Sequence, residues 1–319
     1  MEKFRFGIIG AANIAKTFCD AVNRLENVEV VAVASRTDGK AEKFANENNI
    51  ESFYSDYEEM LERQDIDAVY IATTHNFHYE NAILALNYNK HILCEKAFTL
   101  TKEMAETIFG MAKNKNLFVM EAMWSRFLPA IKKAKEWIDS GILGDIELAD
   151  FTIGFKSDPN PKGRMRNPEL AGGAMYDIGV YAIEITDYLI PEKLKDVHSS
   201  LSYTDLGCDK VDCITLKYDN CIAALKAVMT CDLPNSLDIY GTNGRIHIDN
   251  PHYSDSCTLY DDKGIAQSYF CRRDNGFEYE IAELVSCVRN GMLESSIIPH
   301  KDTLLCAEIF DRCFLQNPR

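Results

Sequence analysis

The sequence lacks any apolar run approaching the ~20 residues that a membrane-crossing helix needs. It also lacks a positive excess: 34 lysines and arginines stand against 49 aspartates and glutamates, a net charge of −15. Such a surface repels phosphate polyanions. That argues against a general nucleic-acid or membrane-surface binder, while leaving room for one small basic pocket. The start, Met1-Glu2-Lys3-Phe4-Arg5-Phe6, has no apolar signal core and no cleavage site. The eleven cysteines are scattered and include no C-x-x-C pair. Reduced thiols in the cytoplasm are therefore expected, rather than disulfides or a structural zinc. Internal repeats and low-complexity linkers are missing too, so a domain boundary can show only as a change of pattern.

What is present is strand–helix alternation. A length of 319 residues suggests two domains. Strand-like runs lie at Phe4–Gly10, Val28–Ala34, Ser52–Tyr54, Ala68–Thr73, His91–Cys94 and Leu117–Glu121, with helical stretches between them. Ser55-Asp56-Tyr57-Glu58 fits a capping box opening one of those helices. The strands are continuously apolar, as expected when helices cover both faces of a parallel sheet. Residues 1–121 are thus expected to form a doubly wound, Rossmann-type nucleotide-binding domain in an α/β protein. Its functional edge holds Gly10, Ala34–Arg36, Thr73–Asn76, Glu95–Ala97 and Glu121. From residue 122 to 319 the pattern becomes α+β. Strands are expected at Glu147–Phe155, Val197–Thr204, Ile214–Tyr218, Ala223–Met229, Ser236–Tyr240 and Arg245–Asp249, with weaker ones near Thr258–Tyr260 and Gln267–Phe270. Together they suggest a large, mostly antiparallel open sheet with helices on one face.

Gly10-Ala11-Ala12-Asn13-Ile14-Ala15 joins the first strand to the first helix as a degenerate G-x-G-x-x-G/A loop. Gly10 allows the tight turn, and amides around Ala12, Asn13 and Ile14 would face a pyrophosphate. Ala12 replaces the usual second glycine, so the approach must be slightly wider. The second strand ends in Ser35-Arg36-Thr37, where an NAD site commonly has an acid. A guanidinium with a hydroxyl suits a 2′-phosphate, and Lys40 adds charge one turn on. This favours NADP(H), with NAD(H) possible; the bland alternative is a solvated Arg36.

Lys96 closes the fifth strand, either as a surface lysine or as a cation held against cofactor and substrate, with Glu95 orienting it or pairing with it. In Gly172-Gly173-Ala174-Met175-Tyr176-Asp177-Ile178-Gly179-Val180-Tyr181, the i, i+4 spacing puts Asp177 and Tyr181 on one helix face. Taken alone, that segment reads better as a buried tyrosine on an amphipathic helix. His75 and His78 have H-x-x-H spacing but no third ligand in view, so no metal is expected. Arg164 and Arg166 are candidate substrate clamps on a polar loop, and Tyr279 is a further candidate. His252 and His300 read as surface residues.

The motifs GAANIA, ASR, TTHNFHYENAILAL, CEKAF and GGAMYDIGVYAIE resemble, over essentially the whole chain, those of the glucose–fructose oxidoreductase/inositol dehydrogenase/MocA family. That family's usual E-K-P is here Glu95-Lys96-Ala97. Its usual D-x-G-x-H has Tyr181 in place of the histidine. With Met120–Phe127, these departures resemble the branch of dimeric dihydrodiol dehydrogenases and NADP-dependent xylose dehydrogenases. The resemblance implies Thr73, Thr74, His75, Asn76, His78, Glu95, Lys96 and Trp124 at the cofactor. It implies Trp124, Asp177 and Tyr181 at a sugar, cyclic polyol or dihydrodiol, where Phe155, Arg164 and Tyr279 are further candidates. Tyr181 would be the proton donor, with Lys96 and Asp177 also catalytic. A homodimer, or a dimer of dimers, packed through the C-terminal sheet is implied as well. The competing readings are a non-catalytic NADP-binding regulator on the same fold, and a dehydrogenase of an imine or biliverdin-like substrate.

Overall fold

The computed structural model describes residues 2–160 and 162–318; Met1, Pro161 and Arg319 lie outside the described residues. Six parallel strands, β1 (Phe4–Ile9), β2 (Val28–Ala34), β3 (Ser52–Tyr54), β4 (Ala68–Ile71), β5 (His91–Glu95) and β6 (Val119–Ala122), form one sheet. Their order is β3-β2-β1-β4-β5-β6. Between them run α1 (Asn13–Val22), α2 (Lys40–Asn48), α3 (Tyr57–Leu61), α4 (His78–Asn87) and α5 (Lys102–Lys115). Every residue of β4 is buried, and Ile92 to Glu95 of β5 are too, which accounts for their unbroken apolar runs. The order reverses between β1 and β4, and ligands of such sheets bind outside the strand ends at that reversal. α3 is capped by Asp56, not by the Ser55 of the expected capping box. The Asp56 carboxylate accepts the Glu58 amide at 2.7 Å and the Glu59 amide at 3.3 Å. A charged acceptor there also suits the positive end of the helix dipole.

A second sheet follows α6 (Pro129–Asp139). Its strands are β7 (Ile146–Gly154), β8 (Asp196–Tyr203), β9 (Asp209–Lys217), β10 (Ile222–Val228), β11 (Ser236–Gly241), β12 (Gly244–Asp249), β13 (Ser256–Asp261) and β14 (Gly264–Phe270). The order is β14-β13-β12-β11-β7-β10-β9-β8, and only β7 and β10 run parallel. α6 and α7 (Val180–Leu189) pack on the face carrying Ala149, Phe151, Ile153, Ala223, Leu225 and Ala227. β9 begins at Asp209, five residues ahead of the strand start read from sequence. Asp212 lies in line with Ile214 and Leu216 on the buried face, where strand patterning calls for an apolar residue.

Packing divides the chain into two compact units: Met1–Trp124 with Asn275–Leu304, and Ser125–Asp274 with Leu305–Arg319. A single cut near residue 121 does not describe this division. The reason is α8 (Phe277–Arg289), whose buried stripe Phe277, Ile281, Leu284 and Val285 belongs with α1 of the first unit. α9 (His300–Gln316) contributes residues to both units.

Candidate active site

In the first unit, Gly10 has φ +100°, and a Cβ there would come within 3.0 Å of the Ala72 backbone and Thr73 Cγ2. Only glycine fits this turn. Ala12 precedes α1 with no side-chain cap, leaving first-turn amides for an anion. Ser35 is buried, and its Oγ accepts the Thr37 amide at 3.3 Å. Arg36 lies over the Tyr57 ring at 4.6 Å and reaches Glu80 at 3.0 Å, so it is not the freely solvated arginine of the alternative reading. That ion pair is half in solvent and weak. A phosphate could therefore take the guanidinium from Glu80. Lys40, exposed, begins α2 just beyond. These residues fit the pyrophosphate and 2′-phosphate of NADP.

The segments after β4 and β5 are tied together. Thr73 Oγ1 accepts from Asn81 at 3.1 Å, and Thr74 Oγ1 donates to Asn76 at 2.7 Å. His78 is fully buried, with Nδ1 2.8 Å from the Ala97 carbonyl oxygen and Nε2 3.1 Å from that of Thr73. Expected at the cofactor, its ring nitrogens instead face two main-chain carbonyls and link the two turns. Burial pushes its pKa down. The His75 and His78 rings meet edge-on at 5.7 Å.

Lys96 itself is half-buried, and its peptide bond to Ala97 is cis. Buried Glu121 holds the following residues: Oε1 accepts the Phe98 amide at 3.0 Å, and Oε2 accepts the Thr303 hydroxyl at 2.9 Å. Behind Lys96, buried Glu95 accepts from the Tyr70 hydroxyl. Glu280, on α8, is fully buried, and neither carboxyl oxygen has a hydrogen-bond partner among the described residues. Burial and the Glu95 charge push its pKa well up, so it holds its proton. Trp124 packs on Phe277 at 5.2 Å between ring centroids, and Tyr279 is half-buried on the same helix.

In the second unit, residues Met175–Gly179 form one wide π-helical turn, with the Val180 amide reaching the Met175 carbonyl, before α7 begins. The expected helix is therefore present but opens irregularly, as helices often do at functional sites. Asp177 and Tyr181 are nearly buried, 6% and 8% exposed, as both the bland and the functional readings require. Arg164 Nη2 lies 2.8 Å from Asp177 Oδ1, so the two side chains form an ion pair. Arg166 differs: it donates to Ser157 Oγ at 3.0 Å and the Met229 carbonyl at 3.3 Å, which ties down its own loop. Phe155 follows β7 half-buried, its amide on the Val228 carbonyl at 3.0 Å.

Two residues read as surface histidines are packed. His252 lies against the Tyr181 ring at 5.4 Å. In the first unit, His300 stacks on Phe109 at 3.8 Å and faces the Val119 carbonyl at 2.9 Å. Sequence reasoning also passed over Glu80, Phe277 and Glu280. Of these, only Glu280 carried a signal: an acid on the apolar stripe of α8.

Residues 4–123 match the model of an oxidoreductase family with an NAD-binding Rossmann fold, and residues 131–247 match the GFO/IDH/MocA C-terminal domain. The chain is 32% identical to the NADP(+)-dependent D-xylose 1-dehydrogenase of Hypocrea jecorina, over 98% of this chain and 92% of that one. It is 31% identical to the trans-1,2-dihydrobenzene-1,2-diol dehydrogenase of Danio rerio, over 96% and 95%. Its fold is similar to that of a 3-ketoreductase from Actinomadura kijaniata, solved with TDP-benzene and NADP (TM-score 0.86, 25% identity, 98% and 97% covered). The residues and these matches together place the chain in the GFO/IDH/MocA family of oxidoreductases.

Proposed function

We propose that this NADP-dependent oxidoreductase interconverts a secondary alcohol and its carbonyl on a sugar, cyclic polyol or trans-dihydrodiol. The observation that carries the reading is the Arg164–Asp177 pair, one helical turn from the nearly buried phenol of Tyr181. It is a polar set suited to hydroxyl groups, which argues for an alcohol over an imine or biliverdin-like substrate. Bound NADP supplies or accepts a hydride at its nicotinamide C4. Gly10, Ser35, Arg36 and Lys40 hold its phosphates, and the Thr73–Asn76 turn takes its ribose.

In oxidation the alcohol O–H proton passes to Tyr181 Oη as the carbinol C–H pair leaves. In reduction Tyr181 returns the proton to the new alkoxide oxygen. A free phenol titrates near pH 10 and is a poor base at neutrality, so the role demands a cation, which we assign to Lys96. Asp177, held by Arg164, accepts from a second substrate hydroxyl. Trp124, backed by Phe277, offers a flat wall for a ring. A regulator would need none of Lys96, Asp177 and Tyr181.

A panel of pentoses, hexoses, inositols and trans-diols, followed at the NADPH absorbance band in both directions, tests the reading. Turnover with one of these classes is expected. NADPH binding without turnover of any of them would favour the regulator.

We further assign a homodimer to the exposed face of the second sheet. Leu148 pairs in register with both Ile222 and Tyr240, and these three side chains, each 38–47% exposed, make an apolar row across β10, β7 and β11. Such a row favours cover by a second copy. Sedimentation should read twice the chain mass, and Leu148→Glu should halve it. A wild-type monomer at micromolar concentration would remove the assignment. The eleven free thiols suit a reducing compartment, which supports the cytoplasm.

A further inference from the structure

Two aspartates outside the expected site lie at the root of the helix that bears Asp177 and Tyr181. Asp209 and Asp212 are both fully buried. Asp209 Oδ2 accepts the Met175 amide at 2.6 Å, at the opening of the π turn. Gly173, two residues earlier, has φ +142°, and a Cβ on it would strike the Asp209 carboxylate. The glycine is thus required twice, by its backbone and by this approach. Its neighbour Gly172 presses the same way on the Arg164 and Met165 backbone. The glycine pair therefore seats the helix start between the loop that supplies Arg164 and the carboxylate that holds Met175.

Neither oxygen of Asp212 meets a donor while both carboxyls are ionised. A proton on Asp212 supplies the missing donor, to Asp209. We infer that Asp209 and Asp212 form a hydrogen-bonded carboxyl pair that positions the helix carrying Asp177 and Tyr181. The inference rests on the role proposed for Tyr181 and adds two positioning residues to it. Asp209, ionised, accepts from the amide at the positive end of the helix; Asp212, neutral, fixes the Asp209 carboxylate from behind. Burial and the Asp209 charge push the Asp212 pKa well up. Two thiols also lie near Asp212. Cys213 is on the same strand, and Cys313, from the part of α9 in this unit, is pushed up to about 11 by burial and stays neutral. Arg312 faces Cys313 and bonds to Asp196.

Because Asp212 keeps its proton above the ordinary aspartate range when folded, its own contribution to stability is full below about pH 4 and is lost as pH rises above it. Asp212→Asn replaces the proton with an amide donor that does not titrate. Melting temperatures without cofactor or substrate should coincide with wild type near pH 4 and lie above it at pH 8. Asp212→Leu, which has no donor, should lose at least tenfold in kcat with NADPH affinity unchanged. Asp212→Asn should recover most of that loss. Asp209→Asn should lower kcat at least tenfold, again with NADPH affinity unchanged. An Asp212→Asn protein that melts below wild type at every pH, or an Asp212→Leu enzyme as fast as Asp212→Asn, would overturn the inference. Should either kcat variant fail to fold, the pH slope of Asp212→Asn alone decides. That slope involves no turnover, so it stands apart from an active Tyr181→Phe enzyme, which would overturn the proposed role of Tyr181 alone.

Discussion

The turn after β5 presents Lys96 with its following backbone already matched by fixed partners: His78 on the Ala97 carbonyl and Glu121 on the Phe98 amide. The helix start in the second unit rests on Asp209, and Asp209 rests on a proton carried by Asp212. Both units also bury a carboxyl whose pKa is pushed well up beside a second carboxyl, Glu280 by Glu95 and Asp212 by Asp209. They differ in what that neutral acid does. Asp212 donates to its partner, whereas Glu280 has no hydrogen-bond partner among the described residues. The turn that follows Lys96 is thus held by side chains on main-chain groups, whereas the helix start before Tyr181 rests on a carboxyl pair whose stability depends on pH.

The largest effect tests whether two groups held so differently act as one. Tyr181→Phe and Lys96→Met should each lower kcat by about 10²–10⁴, the range for a positioned proton donor. The double variant should be little worse than the poorer single one, because residues that act as a unit are not additive. Multiplicative losses in single-turnover kinetics would show two independent roles. Next in size is the support of the lysine turn. Glu121→Ala strands the buried Phe98 amide and Thr303 hydroxyl, at about 2–4 kcal/mol in urea unfolding. Glu121→Gln keeps an acceptor for Phe98 and should cost about 1 kcal/mol. Equal losses from the two variants would mean that the carboxylate charge, rather than its two bonds, holds the turn.

Much of this was legible in the sequence where pattern and chemistry coincide. The unbroken runs of β1, β2, β4 and β5 announced a covered parallel sheet, and Lys96 stood at the end of one of them. Gly172-Gly173 precede the helix in the sequence, but the carboxylate that Gly173 faces, Asp209, lies on a distant strand. Asp209 and Asp212 break the apolar alternation of β9, so the sequence signals that strand only from Ile214. The surviving signal was the phase of Asp212, Ile214 and Leu216, which places an acid on an inward face. His252 and His300 were illegible for another reason. A lone histidine has no periodicity, and its ring partners Tyr181 and Phe109 are 71 and 191 residues away. The division of the chain into units was hidden likewise, because α8 packs with α1 from the far end of the chain.

The smallest effect separates the two neutral acids. In Glu280→Gln the amide places two donors where no acceptor is arranged, whereas the amide of Asp212→Asn meets Asp209. Below the carboxylate range Glu280→Gln should therefore melt below wild type, by a few degrees at most, while Asp212→Asn should match it. As pH rises, wild type loses the contribution of Glu280 to stability, because folded Glu280 keeps a proton that the unfolded chain releases. The Gln side chain does not titrate, so the deficit should narrow and then reverse. From pH 4 to 8 the melting temperature of each variant minus that of wild type should give two lines of like slope, offset by the cost of the unmet amide. Coincident lines would show that Glu280, like Asp212, has an acceptor for its proton, and the contrast between the two units would then vanish.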